Sequence, residues 1–234
     1  MIRTLYIAIW VAFATLVCGT VVIVLSFFLR SGNFMHKIAR FWGRSILVAS
    51  RIKVSVKGLS NIDPSSPYIY MPNHQSNFDI PVLLGHLTVQ FRWLAKRELF
   101  KIPIFGRAMR NVGYISIDRS NRQSAFESLK VAADKIKGGV SVLIFPEGTR
   151  SRDGKIQPFK KGGFVMAIDS GVPIVPVVIT GTRAIMPKGR FRVYPGHVSM
   201  VIHKPIETST YTRETKEGLM ENVRRVISSN FENS

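Results

Sequence analysis

The sequence predicts an α/β domain, a layered mixed sheet flanked by helices, joined to an N-terminal hydrophobic and amphipathic helical membrane element. Three observations lead there. From Ile52 onward, short β-like runs alternate with helical ones, as in sheets covered by helices. Between Thr4 and Leu29 no charged residue occurs in 26 positions. The chain has 234 residues, 46% of them hydrophobic, enough to bury a core without a disulfide or metal as staple. These observations divide the chain into membrane-anchoring helices over 1–51 and a globular domain over 52–234.

The uncharged run would form a helix ~39 Å long at 1.5 Å per residue, enough to cross a hydrocarbon core of roughly 30 Å. It is longer than the h-region of a signal peptide, about 7–15 residues, and no A-x-A site follows it. It therefore reads as a membrane helix that either crosses the bilayer or bends near Gly19 and stays in one leaflet. In the next segment Phe34, Ile38, Phe41, Trp42 and Ile46 recur at helical spacing, with Lys37, Arg40 and Arg44 between them. That pattern fits a basic amphipathic helix on an anionic membrane surface, or one whose stripe packs on the main domain. Eight basic residues and no acidic one precede Asp63, and seven of the eight follow the apolar run. The positive-inside bias then puts the domain on the cytoplasmic face.

Ile52, Val54 and Val56 alternate with polar residues as a half-buried strand would, and Tyr68–Met71 forms a short apolar strand before a Pro-Asn turn. Residues 80–87 read as a helix, 91–94 and 114–117 as strands. Ser120 caps a helix running to Lys137, with Phe126, Leu129, Ala133 and Ile136 on one face and Gly138-Gly139 as its stop. A buried strand over 140–145, a helix over 163–169 and a strand over 174–179 follow. Residues 191–194 and 198–203 are expected to pair as a β-unit, and a helix over 214–228 closes the chain.

Four stretches could carry chemistry. In Asn73-His74-Gln75-Ser76-Asn77-Phe78-Asp79, a turn into a helix could fold Asp79 back onto His74 and make a base of the imidazole. Asp79 could equally cap the helix that follows, as Pro81 in its first turn would allow. In Phe145-Pro146-Glu147-Gly148-Thr149-Arg150-Ser151, a polar turn at the end of an apolar strand presents a guanidinium suited to phosphate, or a simple surface turn. The basic run Arg92, Lys96, Arg97, Lys101, Arg107 and Arg110, leading to Gly113-Tyr114-Ile115-Ser116-Ile117-Asp118-Arg119, could cradle phosphate or form a solvated face. Val172-Pro173-Ile174-Val175-Pro176-Val177-Val178 is too apolar for polar chemistry but could wall an acyl slot. His36, His86, His197 and His203 lack a comparable carboxylate setting and read as structural.

Other classes fall away. The 33 basic and 14 acidic residues leave a net charge of +19, so the partner is anionic. No nucleic-acid module is recognisable, and a nucleic-acid binder would leave the apolar helix unexplained. One cysteine excludes a disulfide framework and a Cys-based zinc site. The stretch from Gly148 to Gly154-Lys155 has one intervening residue too many for a P-loop and carries Ile156 where Ser or Thr is needed. There is no G-x-S-x-G elbow, H-E-x-x-H or G-x-G-x-x-G.

Taken in order over residues 73–178, NHQSNFD, GYISIDR, FPEGTRS and VPIVPV resemble the four blocks of the glycerolipid acyltransferase family. The resemblance implies transfer of a fatty acyl group from acyl-CoA or acyl carrier protein to the free hydroxyl of a lysophospholipid, with lysophosphatidic acid the expected acceptor and phosphatidic acid the product. It further implies His74 as general base with Asp79 as its orienting partner in an H-x4-D motif. Lys96, Arg119, Glu147, Gly148 and Arg150 are implied to bind the phosphorylated acceptor, Lys96 being placed only by its spacing from His74. No metal or cofactor is expected, since the thioester is already activated. The anchor and charge then imply the cytoplasmic face of a bacterial inner membrane. Another lysolipid acceptor, such as lyso-ornithine lipid, or a non-catalytic lipid-binding protein, are the rival readings.

Overall fold

The computed structural model describes residues 1–29, 31–118 and 121–232. Its centre is a seven-stranded sheet built of β1 (Ile52–Lys57), β2 (Ile69–Pro72), β3 (Arg92–Lys96), β4 (Ile115–Ile117), β5 (Val142–Leu143), β6 (Ile174–Thr180) and β7 (Gly196–Ile202), in the order β1-β7-β6-β2-β5-β3-β4. Every neighbouring pair is parallel except β6 and β7. The helices are α1 (Ile2–Leu25), α2 (Gly32–Ala49), α3 (Asp79–His86), α4 (Phe105–Val112), α5 (Arg122–Lys137), α6 (Gly162–Ser170), α7 (Thr182–Ile185) and α8 (Lys216–Glu232).

Side-chain alternation splits the core into two layers. Tyr70, Val175, Val177 and Ile179 pack with Leu47 of α2 and Leu83 of α3 on one side of the sheet. Ile69, Met71, Ile174 and Val178 pack with Ala132 and Ile136 of α5, Phe164 of α6 and Leu219 of α8 on the other. Central strands covered on both faces read as nearly continuous apolar runs, which is why residues 174–179 were legible as a strand. Beyond Pro72, which has no N–H to donate, the Asn73 amide takes over the ladder, donating to Ile179 O at 2.9 Å and accepting from Ile179 N at 2.7 Å.

The N-terminal elements are the apolar and the amphipathic helix that the sequence reading expects. α1 runs as one unbroken helix through Gly19. Gly19 lets α4 approach, because a Cβ at that position would lie 2.8 Å from Ile104 Cγ2. Only 22% of the apolar window of α1 is buried, so it stands packed along one face and open on the other. The stripe of α2 is divided as well. Ile46 is buried against the domain, Ile38 and Trp42 are half-buried, and Phe34 and Phe41 are exposed. Arg44 Nε donates to Gly85 O at 2.8 Å and Arg40 to Thr88 O at 3.2 Å, so α2 is fastened to the end of α3. Ile7, Ile46 and Leu47 share the core of the sheet, so α1 and α2 pack on the domain.

Four other points differ from the sequence reading. Residues 105–112 form α4, which the basic residues concealed; it holds by burying Ala108, Met109 and Val112. Residues 191–194 are not a strand, and β7 pairs with β6 and β1 instead. The predicted Ser120 cap lies outside the described residues, and the cap of α5 is Asn121, whose side chain accepts from Ser124 N at 3.0 Å. Phe126, expected on the buried face of α5, is exposed.

Candidate active site

The adjacent parallel strands β3, β5, β2 and β6 all deliver polar groups from their carboxyl ends, where ligands gather in α/β sheets. Lys96 ends β3, Glu147 to Arg150 follow β5, His74 to Asp79 follow β2, and Thr182 follows β6. Asp79 opens α3, and its carboxylate turns back rather than capping that helix. Asp79 Oδ2 accepts His74 Nδ1 at 2.8 Å, Gln75 N at 2.7 Å and Ser76 N at 2.9 Å. Oδ1 accepts the Thr182 hydroxyl at 2.5 Å. The carboxylate is fully buried, and with Nδ1 donating to it, Nε2 of His74 is left with its lone pair. The imidazole stacks on Phe145, with ring centroids 3.7 Å apart and 9° between planes. Such a ring can accept a proton at Nε2 while the carboxylate stabilises the resulting imidazolium.

Glu147 does not line the cavity as a ligand. It is 1% exposed, its Oε1 accepts His74 N at 2.6 Å, and its Oε2 accepts Gln157 N at 2.8 Å. Both oxygens are thus spent tying the turn after β2 to the loop after β5. Burial pushes its carboxyl up to about 7, against the pull of the two amides. Ser151 N donates to His74 O at 2.8 Å and adds a second tie between the same two segments.

A cavity of about 520 Å³ opens beside this network. His74, Asn77, Lys96, Gly148, Thr149 and Arg150 form its polar part. Its remaining wall comes mainly from Cys18 and Val22 of α1, Ile38 and Trp42 of α2, and Ala108 and Met109 of α4. Four of the sequence-predicted residues therefore meet at one space, with Gly148 in a positive-φ conformation (70°) at the turn. Lys96 Nζ lies 3.2 Å from Glu98 Oε1 at the surface. Arg119 lies outside the described residues.

The rest of the expected basic cradle disperses. Arg92 is buried, donating to Asn33 Oδ1 at 2.6 Å, Arg97 pairs with Asp118 at 2.7 Å, and Arg110 donates to Phe100 O at 2.7 Å. The apolar stretch 172–178, which could have walled an acyl slot, does not line this cavity, and Ile174 to Ile179 are buried inside the sheet. His36 is structural as expected. Burial, then Arg92 and Arg40, pull it down to about 3, and its Nδ1 lies 3.2 Å from Tyr114 Oη.

Two residues of the site escaped the sequence. Lys188 Nζ donates to Arg150 O at 2.7 Å and to Thr149 Oγ1 at 3.1 Å, holding the Arg150 loop. Desolvation and the nearby Arg152 and Arg150 lower its pKa, so cations crowd this rim. The run Pro187-Lys188-Gly189-Arg190 was the available signal. For Thr182 there was none, since a lone threonine after a strand carries no pattern.

The geometry can be set beside known proteins. The acyltransferase family matches residues 53–180. The chain is 42% identical over 176 residues to the chloroplastic 1-acyl-sn-glycerol-3-phosphate acyltransferase BAT2 of Brassica napus, covering 74% of this chain and 51% of that protein. It is 33% identical over 189 residues to the alpha 1-acyl-sn-glycerol-3-phosphate acyltransferase of Homo sapiens, covering 80% and 67%. The crystal structure of the 1-acyl-sn-glycerophosphate acyltransferase PlsC from Thermotoga maritima superposes with a TM-score of 0.87 at 33% identity, covering 99% of this chain and 94% of that one. The chain spans about half the length of the plant chloroplast relatives it matches.

Proposed function

This chain belongs to the acyltransferase family, and on that premise we propose that it acylates 1-acyl-sn-glycerol 3-phosphate, using an acyl thioester to form phosphatidic acid. The observation that carries the reading is the meeting of His74, Lys96 and Arg150 at one cavity whose other walls are apolar. A lysophosphatidate has the matching halves, a phosphate for the cations and an acyl chain for the helices. Arg150 offers the phosphate a planar fork of donors and Lys96 a point charge. Arg119 is proposed as a further contributor to the same charge, and Gly148 as the turn residue that lets the headgroup approach the backbone. Glu147 is proposed to act on the loops rather than on the ligand.

In this reaction His74 Nε2 takes the proton of the acceptor hydroxyl as its oxygen attacks the thioester carbonyl. Asp79 holds the ring by Nδ1 and stabilises the imidazolium. The tetrahedral intermediate then expels the thiolate, which the imidazolium protonates. The acyl donor is activated before it arrives, so no cofactor enters the scheme. Acyl-CoA and acyl carrier protein both present such a thioester.

We place the enzyme at a membrane surface, on the cytoplasmic face. Lipid substrates, the exposed apolar face of α1 and the net charge of +19 support this. The face of α1 opposite the lipid lines the cavity, which gives a lysolipid a short path from bilayer to His74. The test is an acceptor panel with radiolabelled acyl thioester on vesicles. Lysophosphatidate is expected to be acylated at least tenfold faster than lysophosphatidylcholine or lyso-ornithine lipid. Faster turnover of a phosphate-free lysolipid would replace the acceptor, and binding without turnover of any of them would leave a lipid-binding protein.

A further inference from the structure

We infer that Thr182 is a positioning residue for the proposed His74–Asp79 pair, fixing the carboxylate from the side that His74 does not touch. The inference rests on reading that pair as base and orienting acid. Thr182 belongs to none of the sequence blocks and follows β6 directly, after Gly181. Gly181 has a φ of 93°, and a Cβ there would meet His197 O at 2.3 Å, so the backbone that aims Thr182 at Asp79 tolerates no side chain at that point. A second fastening, from Ser76 Oγ to Met186 O at 2.7 Å, keeps the α7 segment against the turn that carries His74.

The chemistry follows from which atoms can donate. An ionised carboxylate only accepts, so the Thr182 hydroxyl donates to Asp79 Oδ1. Three N–H groups already converge on Oδ2, and without Thr182 the other oxygen would have no hydrogen-bond donor among the described residues. Both side chains are fully buried, so bulk water does not reach that oxygen to take the hydroxyl's place. A carboxylate with one bare oxygen would rotate toward other donors and loosen its hold on the ring. Hydrogen bonds to charged groups at such buried sites are among the strong ones.

The test compares Thr182→Val, Thr182→Ala and Thr182→Ser in the full-length chain on vesicles. The two variants without a hydroxyl are expected to lose about 10- to 100-fold in kcat, by the usual strength of a hydrogen bond to a charged group. Their KM for acceptor and donor should stay within about twofold, because Thr182 touches neither. Thr182→Ser is expected to keep kcat within about threefold of the parent. Should Thr182→Val not fold, the alanine variant, which cannot overpack the site, decides alone. Parental kcat in a hydroxyl-free variant, equal losses in the serine and alanine variants, or a rise in KM matching the fall in kcat would each overturn the inference. His74→Ala run alongside separates the two readings. If it stays active, the base assignment has failed; if it is dead while Thr182→Ala is parental, only the inference about Thr182 has.

Discussion

The two halves of the candidate site are built on opposite plans. At the carboxyl ends of β3, β5, β2 and β6 polar atoms are fixed one by one. Asp79 receives four hydrogen bonds and Glu147 two, the imidazole is clamped between Asp79 and Phe145, and backbone amides pin the turns after β2 and β5. Across the cavity, α1, α2 and α4 present apolar side chains, and α1 is bound to its neighbours by few polar contacts, such as Trp42 Nε1 to Thr15 Oγ1 at 2.9 Å and Asn111 Nδ2 to Ser26 Oγ at 2.8 Å. One half specifies positions and the other specifies a volume. Errors should therefore cost rate on the first side and selectivity on the second.

The largest effect should come from removing the proposed base. His74→Ala is expected to cut kcat about 10²- to 10⁴-fold, the usual contribution of a general base, with lysolipid binding retained; a radiolabelled turnover assay beside vesicle-bound ligand titration measures both. Next, Arg150→Ala should raise KM for lysophosphatidate about 10- to 100-fold with a smaller change in kcat, since a charge-assisted pair to phosphate is lost. If kcat falls instead, the guanidinium acts on the reacting atoms and the division above is drawn in the wrong place. Third, Ala39 of α2 also lines the cavity, and Ala39→Leu adds bulk to that apolar wall. It should lower kcat/KM for the longest acyl chains by about tenfold while sparing the shortest, each methylene in such a slot being worth roughly 1 kcal/mol. Equal losses at every chain length would mean that the helices shape the site rather than measure the chain.

The smallest effect concerns Glu147 and pH. Its folded-state pKa, raised from 4.5 to about 7, means the folded protein binds this proton more tightly than the unfolded chain. Stability from this group is greatest below pH 4.5 and is lost as pH rises toward 7, by at most about 1.4 kcal/mol per unit. Unfolding midpoints taken in urea across that window should fall with rising pH, and Glu147→Gln should remove this part of the slope. The same variant puts an amide N–H₂ against a backbone N–H, so it should also lose activity. An unchanged slope would show that the two amides, and not burial, control the carboxyl.

Legibility followed the same division. The contact of Asp79 with His74 was legible as one of two readings of a local pattern at a strand end, the other being a helix cap, and the Arg150 turn as one that follows an apolar strand. The hydrogen-bond partners of Glu147 were not legible, since they are backbone amides 73 residues before it and ten after it in the chain. Whether 172–178 walls a slot or only fills the sheet stayed open because an apolar run looks the same in both settings. α4 was hidden by Arg107 and Arg110, whose charge masked three residues that matter only once α1 lies over them. Thr182 acquires meaning solely through a residue 103 positions earlier, which no window on the sequence spans.

The double use of α1 bears on how the protein is handled. Clipping off its first two dozen residues to gain solubility would look harmless on a hydropathy plot. It would also unroof the chamber, exposing the sides of α2 and α4 and letting water into a space walled by apolar side chains. The greasy segment is as much a part of the vessel as of the mooring, and the two cannot be cut apart.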